Sequence, residues 1–242
     1  MRKIRIYNTA EELNISFTGW LTDILAEKEL ATIALSGGST PRSLFDYWAR
    51  LPEGAIDWTK VKFFWGDERC VPHTDVESNY GMTKEHLFNF IHLADKNIFP
   101  VQGDNDPEAE AKRYGELLNR ELESKNGIPV FDIMMLGMGD DGHTASIFPH
   151  EMKLWYSDEN CVAATHPVSG QKRISLTGKV INASSNIAFL ITGENKAQKV
   201  KEIIEQSENA EDKYPAALVQ PDSGNLFWFL DNKAAARLTK GE

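Results

Sequence analysis

Of the six histidines in this chain, only His143 is set among glycines at the end of an apolar run. It lies in FDIMMLGMGDDGHTASIFPH, Phe131 to His150, where the run breaks into Gly137, Met138 and Gly139, then Asp140, Asp141 and Gly142. A turn needs fewer small and charged residues than this. The glycines remove side chains, so that something can approach the backbone. An imidazole titrates near 6.5 in water and suits a general base close to neutral pH. Asp141, two residues earlier, could orient that imidazole, stabilise its protonated form or itself contact a substrate.

Further candidates follow other apolar runs. In ALSGGSTPRSLF an apparent strand ends at Leu35; Ser36, Gly37, Gly38, Ser39 and Thr40 form a turn, and Pro41 opens a helix. Small residues before a helix start, with its free N–H groups and positive dipole end, make a phosphate cradle. A Gly-rich turn with a Ser or Thr cap explains the same residues. The loop is neither a Walker A motif nor GxGxxG. In FFWGDERCVPHTDVESNYG a strand ends at Trp65, and Arg69 follows, able to hold an anion through its planar fork. The alternative is a surface ion pair with Asp67 or Glu68. His73 reads as a solvated loop residue and Ser78 as the cap of a helix starting near Asn79. Two more cations, Arg173 in QKRISLT and Lys196 in GENKAQK, stand beside strand ends. A lysine in a first helical turn opposes the dipole unless it serves a ligand.

These residues need a scaffold. Apolar runs at Ala31–Gly38, from Lys60, from Val130, from Asn186 and from Asn225 are continuous rather than alternating, as in strands covered on both faces. RISLT alternates and reads as a shorter strand. Helical patterns lie between: one from Ala10, one from Glu194, and one capped by Asp106 with Pro107 at its first position, stopping at Gly127. Strands alternating with helices predict an α/β fold with a mainly parallel sheet and helices on both sides, in one domain spanning residues 1–242. Ligands bind such sheets beyond the carboxyl ends of the strands, where every unusual motif here falls.

Composition narrows the partners. Asp and Glu outnumber Lys and Arg by 36 to 26, a net charge of −10, which argues against nucleic acid but leaves room for a small anion held by a local cation cluster. Two distant cysteines, Cys70 and Cys161, offer no zinc spacing and suit free thiols in a reducing compartment. The start, MRKIRIYNTAEELN, has no apolar core for a signal peptide, and no window reaches the roughly 18 apolar residues of a membrane span. A cytoplasmic protein is expected, with no metal, cofactor, membrane or obligate protein partner.

Taken in order, SGGSTP, GDER with VP and SN, LGMGDDGHTASIFP, RISLT and TGENKA resemble the 6-phosphogluconolactonase family, from about Ala31 to Pro221 and including YPAALVQP near the end. DGHTASIFP is the most specific part. The wider superfamily includes glucosamine-6-phosphate deaminases and ribose-5-phosphate isomerases. The resemblance implies a three-layer α/β/α, Rossmann-like domain without a nucleotide cofactor. It also implies a hydrolase converting 6-phospho-D-glucono-1,5-lactone to 6-phospho-D-gluconate in the oxidative pentose phosphate pathway. His143 is then similar to the family's water-activating base, Asp141 to its acidic neighbour and Arg69 to the arginine near the lactone. Arg173, Lys196 and the Ser36–Thr40 loop are similar to phosphate and substrate binders. The alternatives are a sugar-phosphate deaminase or isomerase on the same scaffold, and a non-catalytic sugar-phosphate-binding regulator. The deaminases carry a segment like IAFNEP after the histidine, and Phe148 here stands in the place of its glutamate.

Overall fold

The computed structural model describes residues 2–239. Its strands are β1 Arg2–Tyr7, β2 Ala31–Leu35, β3 Val61–Trp65, β4 Asp67–Arg69, β5 Glu123–Lys125, β6 Ile128–Val130, β7 Ile133–Leu136, β8 Cys161–Thr165, β9 Lys172–Leu176, β10 Asn186–Ile191 and β11 Leu226–Asp231. Six of them form a central sheet in the order β1-β11-β10-β7-β2-β3. Every neighbouring pair in it is parallel. The apolar runs are unbroken because every residue of β7 and β11 is buried, whichever face it points to. The helices are α1 Ala10–Ala26, α2 Ser39–Ala49, α3 Asn79–Thr83, α4 Pro107–Glu121, α5 Gly178–Ala183, α6 Ala197–Ile204 and α7 Ala210–Lys213. None is long and apolar enough to cross a membrane.

Helix α1 shows how a face is fixed. Thr9 caps it by accepting from the Glu12 N–H. Phe17 and Trp20 then meet Phe229 and Phe227 of β11, with ring centroids 5.2 and 5.1 Å apart. Burying side chains of this size contributes roughly 1.5–3 kcal/mol each. Both aromatic pairs join the first helix to the last strand.

Three features depart from the sequence reading. Strand β1 was not expected. It lies at the sheet edge, with Lys3 and Arg5 spread over the rings of Phe227 and Phe229. Cations on an edge strand hinder pairing with another chain, and they also hide its apolar pattern. Strand β8 was likewise unexpected. The helix from Pro107 ends at Glu121, six residues before the Gly127 stop. Asn126 (φ 54°) and Gly127 (φ 79°) instead form the two-residue turn of the β5–β6 hairpin, a pairing whose twist requires positive φ at both positions.

Two details position the site. Strand β3 is followed by Gly66, whose N–H donates to the Leu35 carbonyl at 2.8 Å and whose own carbonyl accepts from Leu176 at 2.9 Å. The chain thus steps off the central sheet into a small antiparallel sheet, β4-β9-β8, hung from its carboxyl edge. Tyr114 of α4 locks the step: its hydroxyl accepts from the Trp65 N–H at 2.8 Å and donates to the Trp65 carbonyl. The second detail is the switch point. From β2 the chain moves outward to β3, whereas from β7 it moves the other way to β10. The crevice between the carboxyl ends of β2 and β7 is where such a sheet binds ligands.

Candidate active site

A cavity of about 380 Å³ opens at that crevice. Every predicted site residue except Asp141 lines it: Ser36, Gly37, Gly38, Ser39 and Thr40 after β2, Arg69 on β4, His143 after β7, Arg173 on β9, and Lys196 after β10. Asp141 instead holds His143.

The Nδ1 atom of His143 lies 2.6 Å from the Asp141 carboxylate, and the same oxygen accepts from the His143 backbone N–H at 3.1 Å. Burial would push the Asp141 carboxyl up, but the hydrogen bond and charge of His143 and nearby backbone N–H groups outweigh it and bring the group down to about 2. The carboxylate is therefore ionised. It accepts a hydrogen bond from Nδ1–H, which leaves the Nε2 lone pair free as an acceptor. The loop glycines make room for the protein itself. A Cβ on Gly139 would lie 2.1 Å from the His143 Nδ1, and one on Gly142 would lie 2.6 Å from the Tyr214 ring. Gly142 has a φ of +84°, and its carbonyl accepts from Ala216 at 3.1 Å. Here the YPAALVQP segment finds its place: Tyr214–Ala216 braces the histidine loop from behind.

Asp141 makes a pH prediction. Its carboxyl falls from an ordinary 3.8 to about 2 on folding, so it adds stability that is complete above pH 4 and lost as pH drops toward 2. Asp141→Asn should therefore cost about 1 kcal/mol at pH 7, after discounting for a partly exposed pair, and the deficit should vanish near pH 2. Denaturant titrations of both proteins at several pH values check it. A deficit that grows as the pH falls from 4 to 2 would contradict the ion pair.

The opposite wall is cationic. Arg69 and Arg173 are direct partners in the β4–β9 ladder, and in both the buried Nε makes no hydrogen bond. Burial first, and Arg69 second, pull the Arg173 guanidinium below its usual range. Like charges directly opposite on a ladder are destabilising, and a bound anion is the partner that offsets both the repulsion and the idle donors. The alternative, a surface ion pair of Arg69 with Asp67 or Glu68, is not how Arg69 is held; its guanidinium donates to the Glu77 carbonyl. Glu68 is fully buried and accepts from the N–H groups of Arg69, Asn79 and Tyr80 at 2.7, 2.7 and 2.8 Å. Burial pushes its carboxyl up against the pull of these N–H groups. Ser78 caps α3 as expected, accepting from Gly81. His73 is bonded to the Val101 carbonyl and packed on Tyr80, a structural residue rather than a solvated one.

The loop after β2 also differs in detail. Helix α2 starts at Ser39, two residues before Pro41, and its cap is Gly38 with φ 103° and no capping side chain. The Ser or Thr cap weighed above is absent, so the first-turn N–H groups stay available beside the cavity. The Thr40 and Thr192 hydroxyls bond at 2.8 Å and tie this loop to the one after β10. Lys196 ends a short 3₁₀ turn, Glu194–Lys196, ahead of α6, and pairs with Asp140.

Asp67, Asn79, Thr192 and Asn195 also line the cavity and escaped the sequence reading as site members. Asp67 accepts from the Ser146 hydroxyl at 2.6 Å, and its carbonyl accepts from the Asn79 amide, which packs directly against Gly37. Their positions inside GDER, SN and TGENK were the available signal.

Comparison with known proteins agrees with this fold. Residues 7–228 match the model of the family described as glucosamine-6-phosphate isomerases/6-phosphogluconolactonase. The chain is 48% identical to the 6-phosphogluconolactonase of Haemophilus influenzae, over 85% of this chain and 86% of that one. It superposes on the crystal structure of the devB protein with a TM-score of 0.93 and 39% identity, covering 98% and 99% of the two chains. A monomeric glucosamine-6-phosphate deaminase has the same fold, with a TM-score of 0.81 at 24% identity over 97% and 99% of the chains.

Proposed function

The chain belongs to the glucosamine-6-phosphate isomerase/6-phosphogluconolactonase family, and from that premise we propose that its cavity hydrolyses 6-phospho-D-glucono-1,5-lactone to 6-phospho-D-gluconate, as a step of the pentose phosphate pathway. The observation that carries the reading is an imidazole with Nδ1 held by an ionised carboxylate, facing a wall of two arginines with idle donors. His143 Nε2 takes a proton from water as the oxygen attacks C1. The carbonyl electrons move onto oxygen, and Arg69 stabilises that oxyanion. Collapse breaks the bond between C1 and the ring oxygen, which leaves with the proton from Nε2. Asp141 offsets the imidazolium charge between the two transfers. The new acid then ionises to a carboxylate.

A lactone is a reactive ester, and no covalent nucleophile is required. Neither thiol offers one, since burial pushes Cys70 up to about 11 and Cys161 further still. Both cysteines are free, in keeping with a reducing, cytoplasmic setting, which forms part of the same proposal. Arg173, Lys196 and the Ser36–Thr40 loop hold the 6-phosphate, whose binding orients the ring.

The direct test is an assay with freshly generated lactone, corrected for spontaneous hydrolysis. The division of labour is also testable. Arg173→Ala and Lys196→Ala should each weaken 6-phosphogluconate binding by about 1.5–3 kcal/mol, roughly ten- to a hundredfold, and raise KM. Arg69→Ala should act on kcat, by about 10²–10³-fold. Normal binding of the phosphorylated product by both KM variants, with equal affinity of the wild type for gluconate, would place the phosphate elsewhere.

A further inference from the structure

Asp140 has no part in the chemistry above, yet it lines the cavity beside the catalytic loop. Its carboxylate pairs with Lys196 Nζ and accepts from the Asn195 amide at 2.8 Å. The Lys196 side chain is only 19% exposed, against 66% for Asp140. Lys196 therefore differs from the two arginines. Their buried Nε groups have no partner, whereas the ammonium of Lys196 is already engaged by a carboxylate of the protein. A phosphoryl oxygen that reaches Lys196 must displace that carboxylate or share the cation with it.

The reaction makes the competition matter. The lactone carries its charge on the phosphate alone, near −2 at neutral pH because the second ionisation lies near 6. Hydrolysis adds a carboxylate, so the product is more strongly attracted than the substrate to Arg69, Arg173 and Lys196. Cations arranged only to bind phosphate would hold the product best. Resting on the assignment of Lys196 to the phosphate, we infer that Asp140 competes with the phosphoryl group for Lys196 and so weakens binding of phosphorylated ligands, the product above all. Asp140 recaptures the ammonium as the product leaves. Its neighbours in sequence carry the base, so the counter-ion is built into the loop that performs the chemistry.

The test compares four proteins, wild type, Asp140→Asn, Lys196→Ala and the double variant, each checked for folding by thermal unfolding. Affinity for 6-phosphogluconate is read by calorimetry and by product inhibition, with gluconate as the unphosphorylated control. Asp140→Asn keeps the size of the side chain and removes its charge. It should bind 6-phosphogluconate roughly five- to tenfold more tightly, with little change for gluconate, and the gain should disappear in the Lys196→Ala background, the mark of a coupled pair. Asp140→Glu, which keeps the charge, should stay near wild type. Equal tightening in both backgrounds would mean general repulsion and would overturn competition for Lys196. If Lys196→Ala weakens binding but Asp140→Asn does not tighten it, the inference fails and the phosphate assignment stands. If Lys196→Ala changes nothing, the assignment fails first and the inference with it.

Discussion

His143→Ala is expected to lower kcat for 6-phosphogluconolactone by about 10²–10⁴-fold, the usual worth of a positioned general base. The argument rests on where the proton can go. Asp141 is ionised and committed to Nδ1. The two arginines are permanently protonated and cannot accept. The fold should survive, because His143 is partly exposed, its side chain bonds to Asp141, and the loop is braced independently through Gly142 and Ala216. KM should change little, since the phosphate contacts remain. A folded His143→Ala protein with wild-type turnover would remove this residue from the mechanism.

Much of this site could be read before the fold was known, for a physical reason. Parallel strands buried on both faces must be apolar throughout, so the residues that end them stand out: SGG after Leu35, GDER after Trp65, GMGDDGH after Leu136. What stayed hidden depended on partners distant in sequence. Strand β1 is half cationic because it closes an edge over Phe227 and Phe229, and no local pattern reveals that. The Asn126–Gly127 turn read as a helix stop because glycine serves both ends equally well. The pairing of Arg69 with Arg173 follows from the register of the small sheet, and that of Asp140 with Lys196 from two loops meeting above the central one. The sequence suggested glycines that open the backbone to a ligand. In the structure, Gly139 and Gly142 yield their space to His143 and Tyr214.

The purified chain is expected to release no ammonia from glucosamine 6-phosphate at concentrations that hydrolyse the lactone readily. The fold cannot decide this, since a deaminase shares it. The decision lies in the residue that faces the base. Phe148 is buried, with its ring centroid 4.6 Å from that of His143, 6.0 Å from that of His150 and 5.4 Å from that of His166. By the family resemblance it stands where the deaminase segment has a glutamate, and a phenyl ring neither gives nor takes a proton. Deamination must open an amino-sugar ring, move a proton between carbons and expel an amine. Loss of one acid–base group from such a sequence costs about 10²–10⁴-fold by itself. Lactone hydrolysis needs one base, one oxyanion site and the return of the same proton, the roles proposed above for His143 and Arg69. The ring also contributes to the simpler reaction: with Asp141 on one atom and Phe148 against the imidazole, His143 has little freedom to turn away from the substrate. Ammonia and lactone assays on one preparation give the answer. Robust deamination, with lactone hydrolysis no faster than in buffer, would show that the proton chemistry runs through groups other than the His143–Asp141 pair and its apolar neighbour.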